Sequence, residues 1–138
     1  IIIKNKIENM PLIVKPISAI LVKDYDLFAI SKTYLIILGP YVIIFVGNEK
    51  QRSKTCSGGG KKPMWTDTFQ FNTNAPVLKV QVWDDDTLSD DFIGEGTLNL
   101  TQFYNNPMRT ENGTYHPIIE YVDLISKGRS AGRLLLSV

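Results

Sequence analysis

Aspartates are concentrated in one short stretch of this sequence, and their spacing predicts a cation site. Five of them fall within the eight positions from Asp84 to Asp91. Carboxylates this close repel one another unless water screens them or a cation lies between them. Asp84 and Asp86 are two residues apart at an expected strand end, so both could face one hollow while Asp85 points away. A solvated acidic turn is the simpler alternative.

The acidic stretch lies between two segments with the alternating pattern of β-strands. Apolar and polar residues alternate from Val77 to Trp83 and again from Phe92 to Leu100. A sheet would therefore present the aspartates at one of its ends, where binding chemistry is usually found. A second acidic turn, Asp24-Tyr-Asp26, follows a first predicted strand in which Pro16 indicates an edge position or a bulge.

Short strands separated by turn residues account for most of the remaining chain. Further strands are predicted at residues 12–21, 41–46, 49–55, 66–72, 118–124 and 133–138, with an irregular region at 101–117. No long stretch has helical periodicity, so the pattern indicates an antiparallel β-sandwich. Trp65 and Phe69 are predicted core residues, and Asp67 a hydrogen-bond acceptor at a strand end.

Composition excludes several classes of protein. The net charge is +1, and the single cysteine, Cys56, excludes an internal disulfide and favours a reducing compartment. The longest apolar stretch is interrupted by Gly39-Pro40 and is shorter than the roughly 20 residues that span a bilayer. The first nine residues lack the features of a signal peptide. We therefore expect a cytoplasmic protein with a tail at residues 1–10 and one domain at 11–138.

Basic residues form a second feature. Lys50, Arg52 and Lys54 are two apart, so they would share one face of a strand. Such a ladder could bind an anionic surface, or it could protect an edge strand from aggregation. Nucleic acid is disfavoured because few aromatic residues accompany the charges. His116 has no second histidine or cysteine to complete a zinc site, and we expect no enzyme.

Seven motifs occur in the order and approximate spacing of a C2 domain. They are Asp24-Tyr-Asp-Leu-Phe, Gly39-Pro-Tyr-Val, Gln51-Arg-Ser-Lys-Thr, Pro63-Met-Trp-Thr-Asp-Thr-Phe-Gln-Phe, Val82-Trp-Asp-Asp-Asp, Asp90-Asp-Phe-Ile-Gly-Glu and Gly132-Arg-Leu-Leu-Leu-Ser-Val. The chain is similar to small single-domain members such as the plant elicitor-responsive proteins, over about Pro11 to Val138. The resemblance implies an all-β, eight-stranded antiparallel Greek-key β-sandwich whose loops at one end hold calcium and meet phospholipid.

The resemblance also implies which residues bind calcium. Asp84, Asp86 and Asp91 resemble the ligands of the family's third loop, and Asp26 resembles the first ligand of the first loop. The carbonyls of Tyr25 and Asp85 would complete the shell. Gly39 stands where the family has a second first-loop aspartate, so we expect a weakened Ca²⁺ site. The residues from Ala29 to Gly39 form an insertion that could enter lipid, extend the next strand or pack on the sandwich.

A lipid patch is implied as well. In family members that bind phosphatidylinositol bisphosphate, the patch positions correspond here to Tyr41, Arg52, Lys54 and Trp83, to which Lys50 adds a charge. Ile43 and Asp90 stand where a lysine and an asparagine would be expected. At the loop tips we expect Leu27 and Leu88 to be free to insert, and Phe28 and Phe92 to be core residues.

Two functions follow as hypotheses. The first is a monomeric calcium-dependent module that joins an anionic phospholipid membrane as a peripheral protein when calcium rises. The second is a calcium-independent domain that docks protein or anionic lipid through Lys50, Arg52 and Lys54. The third-loop aspartates favour the first hypothesis, and Gly39 favours the second.

Overall fold

The computed structural model describes residues 11–22, 39–104 and 116–138. The predicted tail, the predicted ligands Tyr25 and Asp26, the loop residues Leu27 and Phe28, and most of the insertion lie outside these ranges. The elements are β1 (Leu12–Leu21), β2 (Pro40–Val46), β3 (Glu49–Arg52), β4 (Phe69–Phe71), β5 (Val77–Asp84), β6 (Asp91–Asn99), α1 (Thr101–Tyr104), β7 (Ile119–Ser126) and β8 (Arg129–Ser137). Within the described ranges, no helix has the length and apolar character required to cross a bilayer.

The strands form two four-stranded antiparallel layers that enclose one core. The hydrogen-bonded order is β3-β2-β5-β6-β7-β8-β1-β4, and β6 meets β7 at a single register pair, Glu95 with Ile125. Alternate residues of β2 and β5, including Val42, Ile44 and Val80, are fully buried against Leu134 and Leu136 of β8 and their neighbours. This arrangement confirms the predicted all-β, eight-stranded antiparallel sandwich, with strands out of sequence order as in a Greek key.

The two open sides of the sandwich are closed by different means. On one side, β6 passes close to β7, and a Cβ atom at Gly96 would overlap the carbonyl of Asp123. On the other side, side chains of β3 bond to the backbone of β4 and the residue after it. Both carboxylate oxygens of Glu49 accept from the N–H of Asn72 at 3.0 and 3.1 Å, and the side-chain amide of Gln51 donates to the carbonyl of Gln70 at 2.8 Å.

Several strand boundaries differ from the predictions. The predicted strand 49–55 ends at Arg52, so the expectation that Lys54 continues it is wrong. The hydroxyl of Ser53 accepts from the N–H of Val42 at 2.9 Å, where a ladder would use a backbone carbonyl. The strand predicted at 66–72 is reduced to Phe69–Phe71, and the region predicted as irregular contains α1. The last two strands are longer than predicted and meet at Lys127-Gly128, where both residues have positive φ.

Other sequence interpretations are confirmed. The register of β1 against β8 shifts between Pro16 and Ser18, which is the bulge that Pro16 predicted. Trp65 and Phe69 are buried in the core. Asp67 accepts a hydrogen bond from the N–H of Lys54 at 3.1 Å, so it acts as the acceptor that its position suggested.

Candidate functional site

The residues from Asp84 to Asp91, here called the acidic loop, connect the ends of β5 and β6. Asp84 is the last residue of β5 and pairs with both Pro40 and Asp91 across the sheet. It is only 7% exposed, and one of its carboxylate oxygens accepts the N–H of Gly39 at 2.8 Å. The carbonyl of Gly39 in turn accepts the N–H of Asp85 at 2.9 Å. The first carboxylate of the loop is therefore fixed by the backbone before β2.

The side chains of Asp85 and Asp86 are held by hydroxyl groups in different places. Asp85 accepts from the hydroxyl of Thr55 at 2.8 Å, and Asp86 accepts from that of Thr87 at 3.3 Å. Asp91 is exposed at the start of β6. Among the described residues, no group of three or more His, Cys, Asp and Glu side chains is arranged to hold a metal ion. The proposed ligand set also includes Tyr25 and Asp26, which lie outside the described ranges.

Gly39 has a structural role that its lack of a carboxylate did not suggest. A Cβ atom at this position would lie 2.7 Å from the side-chain methyl of Thr55, a distance that such contacts do not reach without movement. Thr55 therefore occupies the space into which an aspartate side chain would begin. The backbone of Gly39 meanwhile binds the acidic loop through its N–H and its carbonyl. No local sequence pattern signals this contact, because it joins segments far apart in the chain.

Tyr41 connects the acidic loop to the sheet. Its hydroxyl donates to one carboxylate oxygen of Asp90 at 2.5 Å, and the other oxygen of Asp90 accepts the N–H of Asp86 at 3.2 Å. Burial raises the pKa of Tyr41 to about 12, and the bond to Asp90 adds to this shift. The same hydrogen bond, followed by that of Asp86 and by the charge of Arg52, lowers the pKa of Asp90. A neutral phenol and an ionised carboxylate thus stabilise each other.

Arg52 lies on the outer face of β3, between Tyr41 and the acidic loop. Its guanidinium carbon is 3.5 Å from the centroid of the Tyr41 ring, a cation–π contact. One guanidinium nitrogen lies 3.8 Å from a carboxylate oxygen of Asp85, and both side chains are about half exposed. Solvent screening keeps such a pair weak. The sequence predicted Arg52 and Tyr41 as patch residues, but it did not predict that Asp85 and Asp90 would be their partners.

Phe45 is the centre of a second cationic contact, which the sequence interpretation missed. In the register of the sheet, Phe45 pairs with Lys50 on β3 and with Lys79 on β5. The two ammonium nitrogens lie 5.7 and 4.7 Å from the centroid of its ring. We call Tyr41, Phe45, Lys50, Arg52 and Lys79 together the cationic face. The alternation from Val77 to Trp83 already placed Lys79 on an outer face, but only the strand register shows that it meets Phe45.

The remaining predicted site residues have mixed outcomes. Trp83 is half-buried, pairs with Tyr41 and donates from its indole nitrogen to the side-chain carbonyl of Gln81 at 3.1 Å. Phe92 was expected in the core, which is wrong: it is half-buried and packs edge-on against Trp83, with the ring centroids 5.3 Å apart. Leu88 is 94% exposed in the acidic loop, so its side chain is free to contact a surface. Lys54 is exposed beyond the end of β3.

Comparison with known proteins agrees with this geometry. The family model described as C2 domain matches residues 12–116. A curated relative, Elicitor-responsive protein 3 from Oryza sativa subsp. japonica, is 36% identical over 74 residues, which are 51% of this chain and 51% of the relative. The match therefore spans about half the length of that relative.

Two solved structures share the fold. One is the first C2 domain of a plant Extended Synaptotagmin 1, with a TM-score of 0.68 and 17% identity over 94% of this chain and 92% of that chain. The other contains two C2 domains of Extended-Synaptotagmin 2 with calcium bound. Its TM-score is 0.66 and its identity 20%, over 94% of this chain and 45% of that chain.

Proposed function

The chain belongs to the C2 domain family, and from this premise we propose that it is a calcium-dependent phospholipid-binding module. The observation that carries the proposal is the acidic loop, which lies at one end of the sandwich with Asp84 fixed against the backbone of Gly39. The role is one of binding, in which a monomer would act as a peripheral membrane protein of the cytoplasm when calcium rises.

The donor set of the acidic loop suits calcium. Calcium takes 6 to 8 oxygen ligands, several of them carboxylate, in a flexible geometry. Asp84, Asp86 and Asp91, with Asp26 and the carbonyls of Tyr25 and Asp85, would hold the ion. Bound calcium would supply positive charge to the loop and open coordination positions for lipid phosphate oxygens. Because Gly39 supplies no carboxylate, the site would be weaker than in members with an aspartate there, and would hold one ion rather than two.

The chain's own residues would make the change at the membrane. Without a cation, the carboxylates of the acidic loop repel an anionic leaflet. Once their charge is neutralised, the exposed side chain of Leu88 can approach the lipid. The cationic face lies beside the loop, since Tyr41 and Arg52 contact Asp90 and Asp85 directly, and it would add attraction to the same leaflet.

A second candidate function is calcium-independent binding of anionic lipid or an acidic protein surface. The observation that favours it is the predicted lipid patch, in which Tyr41 and Trp83 are cross-strand neighbours and Arg52 stacks on Tyr41. Lys50 and Lys54 would add charge to that patch. The methyl group of Thr55 where a Gly39 side chain would begin also argues for a weakened calcium site.

Co-sedimentation with vesicles of phosphatidylcholine and phosphatidylserine, in calcium and in chelator, tests the first function. Wild-type protein should pellet in calcium and remain largely in solution in chelator. Replacement of Asp84 and Asp86 with asparagine should make the protein in calcium behave like the wild type in chelator, because asparagine keeps the shape but removes the charge. Calcium-dependent pelleting that persists in this variant would reject the ligand assignment.

A matched control removes two carboxylates elsewhere. Asp123→Asn combined with Glu120→Gln neutralises two acids on β7, away from the acidic loop, and should leave calcium dependence intact. Pelleting that is equal in calcium and chelator, and that falls when Lys50, Arg52 and Lys54 are neutralised together, would support the second function instead.

A further inference from the structure

The two ends of the cationic face differ in their partners. At the end next to the acidic loop, the hydroxyl of Tyr41 is bonded to Asp90 at 2.5 Å and Arg52 lies 3.8 Å from Asp85. An incoming anion would have to displace these carboxylates or tolerate their charge. Carboxylates of the protein's own loop therefore already occupy the groups that the family resemblance assigns to lipid.

The opposite end of the cationic face has no such competition. Lys50 and Lys79 flank Phe45 from the two neighbouring strands, with nitrogen-to-centroid distances of 5.7 and 4.7 Å. In the part of the chain that the structure describes, neither ammonium group forms an ion pair with a carboxylate. Glu49, the nearest acid in sequence to Lys50, is turned away and bonded to the N–H of Asn72.

Two ammonium groups gathered over one aromatic ring select a particular kind of ligand. The ring of Phe45 attracts both cations through its electron-rich face, and this attraction offsets part of their mutual repulsion. Each ammonium keeps hydrogen-bond donors that can point outward to solvent. A phosphate ester with more than one negative charge can accept from both at once, whereas a singly charged group satisfies only one.

We propose that Lys50 and Lys79, on either side of Phe45, form the calcium-independent binding site for a multiply charged phosphate ester. Lys79 is a binding residue outside the predicted lipid patch. Arg52 contributes less than its position in that patch implies, because Asp85 offsets its charge. The proposal rests on the proposed function in that it concerns anion binding by the same domain, but it does not require calcium.

Three variants that each remove one positive charge test this assignment in chelator. They are Lys79→Gln, Arg52→Gln and the control Lys15→Gln, which lies on the outside of β1. The probe is phosphatidylcholine vesicles that contain a phosphatidylinositol bisphosphate. Lys79→Gln should lower the partition coefficient about five-fold, the factor that one basic residue near an anionic leaflet supplies. Arg52→Gln should lower it by less, and Lys15→Gln should leave it nearly unchanged.

A conservative variant separates charge from folding. Lys79→Arg keeps the cation and its contact with Phe45, so it should retain the wild-type partition coefficient. If Lys79→Gln and Lys15→Gln have equal effects, or if Arg52→Gln has the larger effect, the assignment is overturned. The lysines would then serve only to keep this face soluble.

A soluble ligand distinguishes the source of the phosphate. Titration with free inositol hexakisphosphate should give binding that Lys79→Gln weakens, and loss of affinity only with vesicles would identify a membrane headgroup as the ligand. Equal loss with both ligands would support the site for soluble and membrane-bound phosphate esters alike. Calcium-dependent pelleting of Lys79→Gln would show that the proposed calcium function survives even if this site fails. Unchanged calcium behaviour of the Asp84 and Asp86 variant would refute that function while leaving this site standing.

Discussion

The contact between Tyr41 and Asp90 couples two titrating groups in opposite directions. Tyr41 is 4% exposed, so burial favours its neutral form, and its hydroxyl remains a donor up to high pH. Asp90 is ionised more readily because it accepts from that hydroxyl and from the N–H of Asp86. The side chain that departs from the expected asparagine thus fixes the acidic loop to β2. An asparagine could accept the same bond, but it would bring no charge.

The pH dependence of this contact follows from the lowered pKa of Asp90. In the unfolded chain its carboxyl group titrates near its ordinary value of 3.8, and in the folded protein it titrates below that value. The contribution to stability is therefore complete above pH 3.8 and is lost as the pH falls through the folded value. In Tyr41→Phe, the pKa of Asp90 should rise toward 3.8, as measured by carbon NMR of the carboxyl groups. Tyr121→Phe, on exposed β7, should leave it unchanged. An unshifted Asp90 in Tyr41→Phe would contradict the contact.

At the scale of elements, the weakest part of the sandwich is the side where β3 and β4 meet. β4 has only three residues, and both strands are edges of their layers. Glu49 and Gln51 alternate with Lys50 and Arg52, so the acidic and amide side chains face the opposite layer while the basic ones face outward. One short strand therefore closes the sandwich with one face and builds the cationic face with the other.

Loss of the Glu49 side chain should open this edge. Glu49→Ala removes the acceptor of the Asn72 N–H and should lower the free energy of unfolding by about 1 kcal/mol, the usual net value of such a bond. Glu49→Gln keeps one acceptor oxygen and should lose less. Urea denaturation measures both, with an unchanged denaturant slope indicating that only stability has changed. A larger loss in Glu49→Gln than in Glu49→Ala would show that charge, and not the bond to Asn72, determines the effect.

The fold was predictable from the sequence because its signals are local, whereas much of the site is not local. Alternation identified the strands at Val77 and Phe92, and Pro16 located a bulge in β1. The bond between Tyr41 and Asp90 joins residues 49 positions apart, so no pattern of neighbours reveals it. The contact of Lys79 with Phe45 likewise depends on strand register. The early end of β3 depends on a single hydroxyl, that of Ser53, which bonds to Val42 in place of a backbone carbonyl.

For the whole molecule, a net charge of +1 conceals two adjoining regions of opposite sign. The acidic loop lies at one end of the sandwich and the cationic face on the outside of the first layer, and they touch through Arg52 and Asp85. An anionic membrane would be attracted by one region and repelled by the other. The balance between them sets how strongly the protein binds without calcium, and hence how large a change calcium can cause.

Restoring a carboxylate at position 39 should enlarge this change. Gly39→Asp alone would force its Cβ against the methyl of Thr55, at 2.7 Å, so it is paired with Thr55→Ser, which removes the methyl and keeps the hydroxyl that bonds to Asp85. The double variant should bind anionic vesicles less well in chelator, by up to about five-fold, since one charge near the leaflet has that effect. In calcium it should bind at a lower calcium concentration, because the ion gains a ligand. Thr55→Ser alone should match the wild type. Weaker vesicle binding by the double variant in calcium as well as in chelator would show that the added carboxylate only repels lipid, and that position 39 does not face a calcium ion.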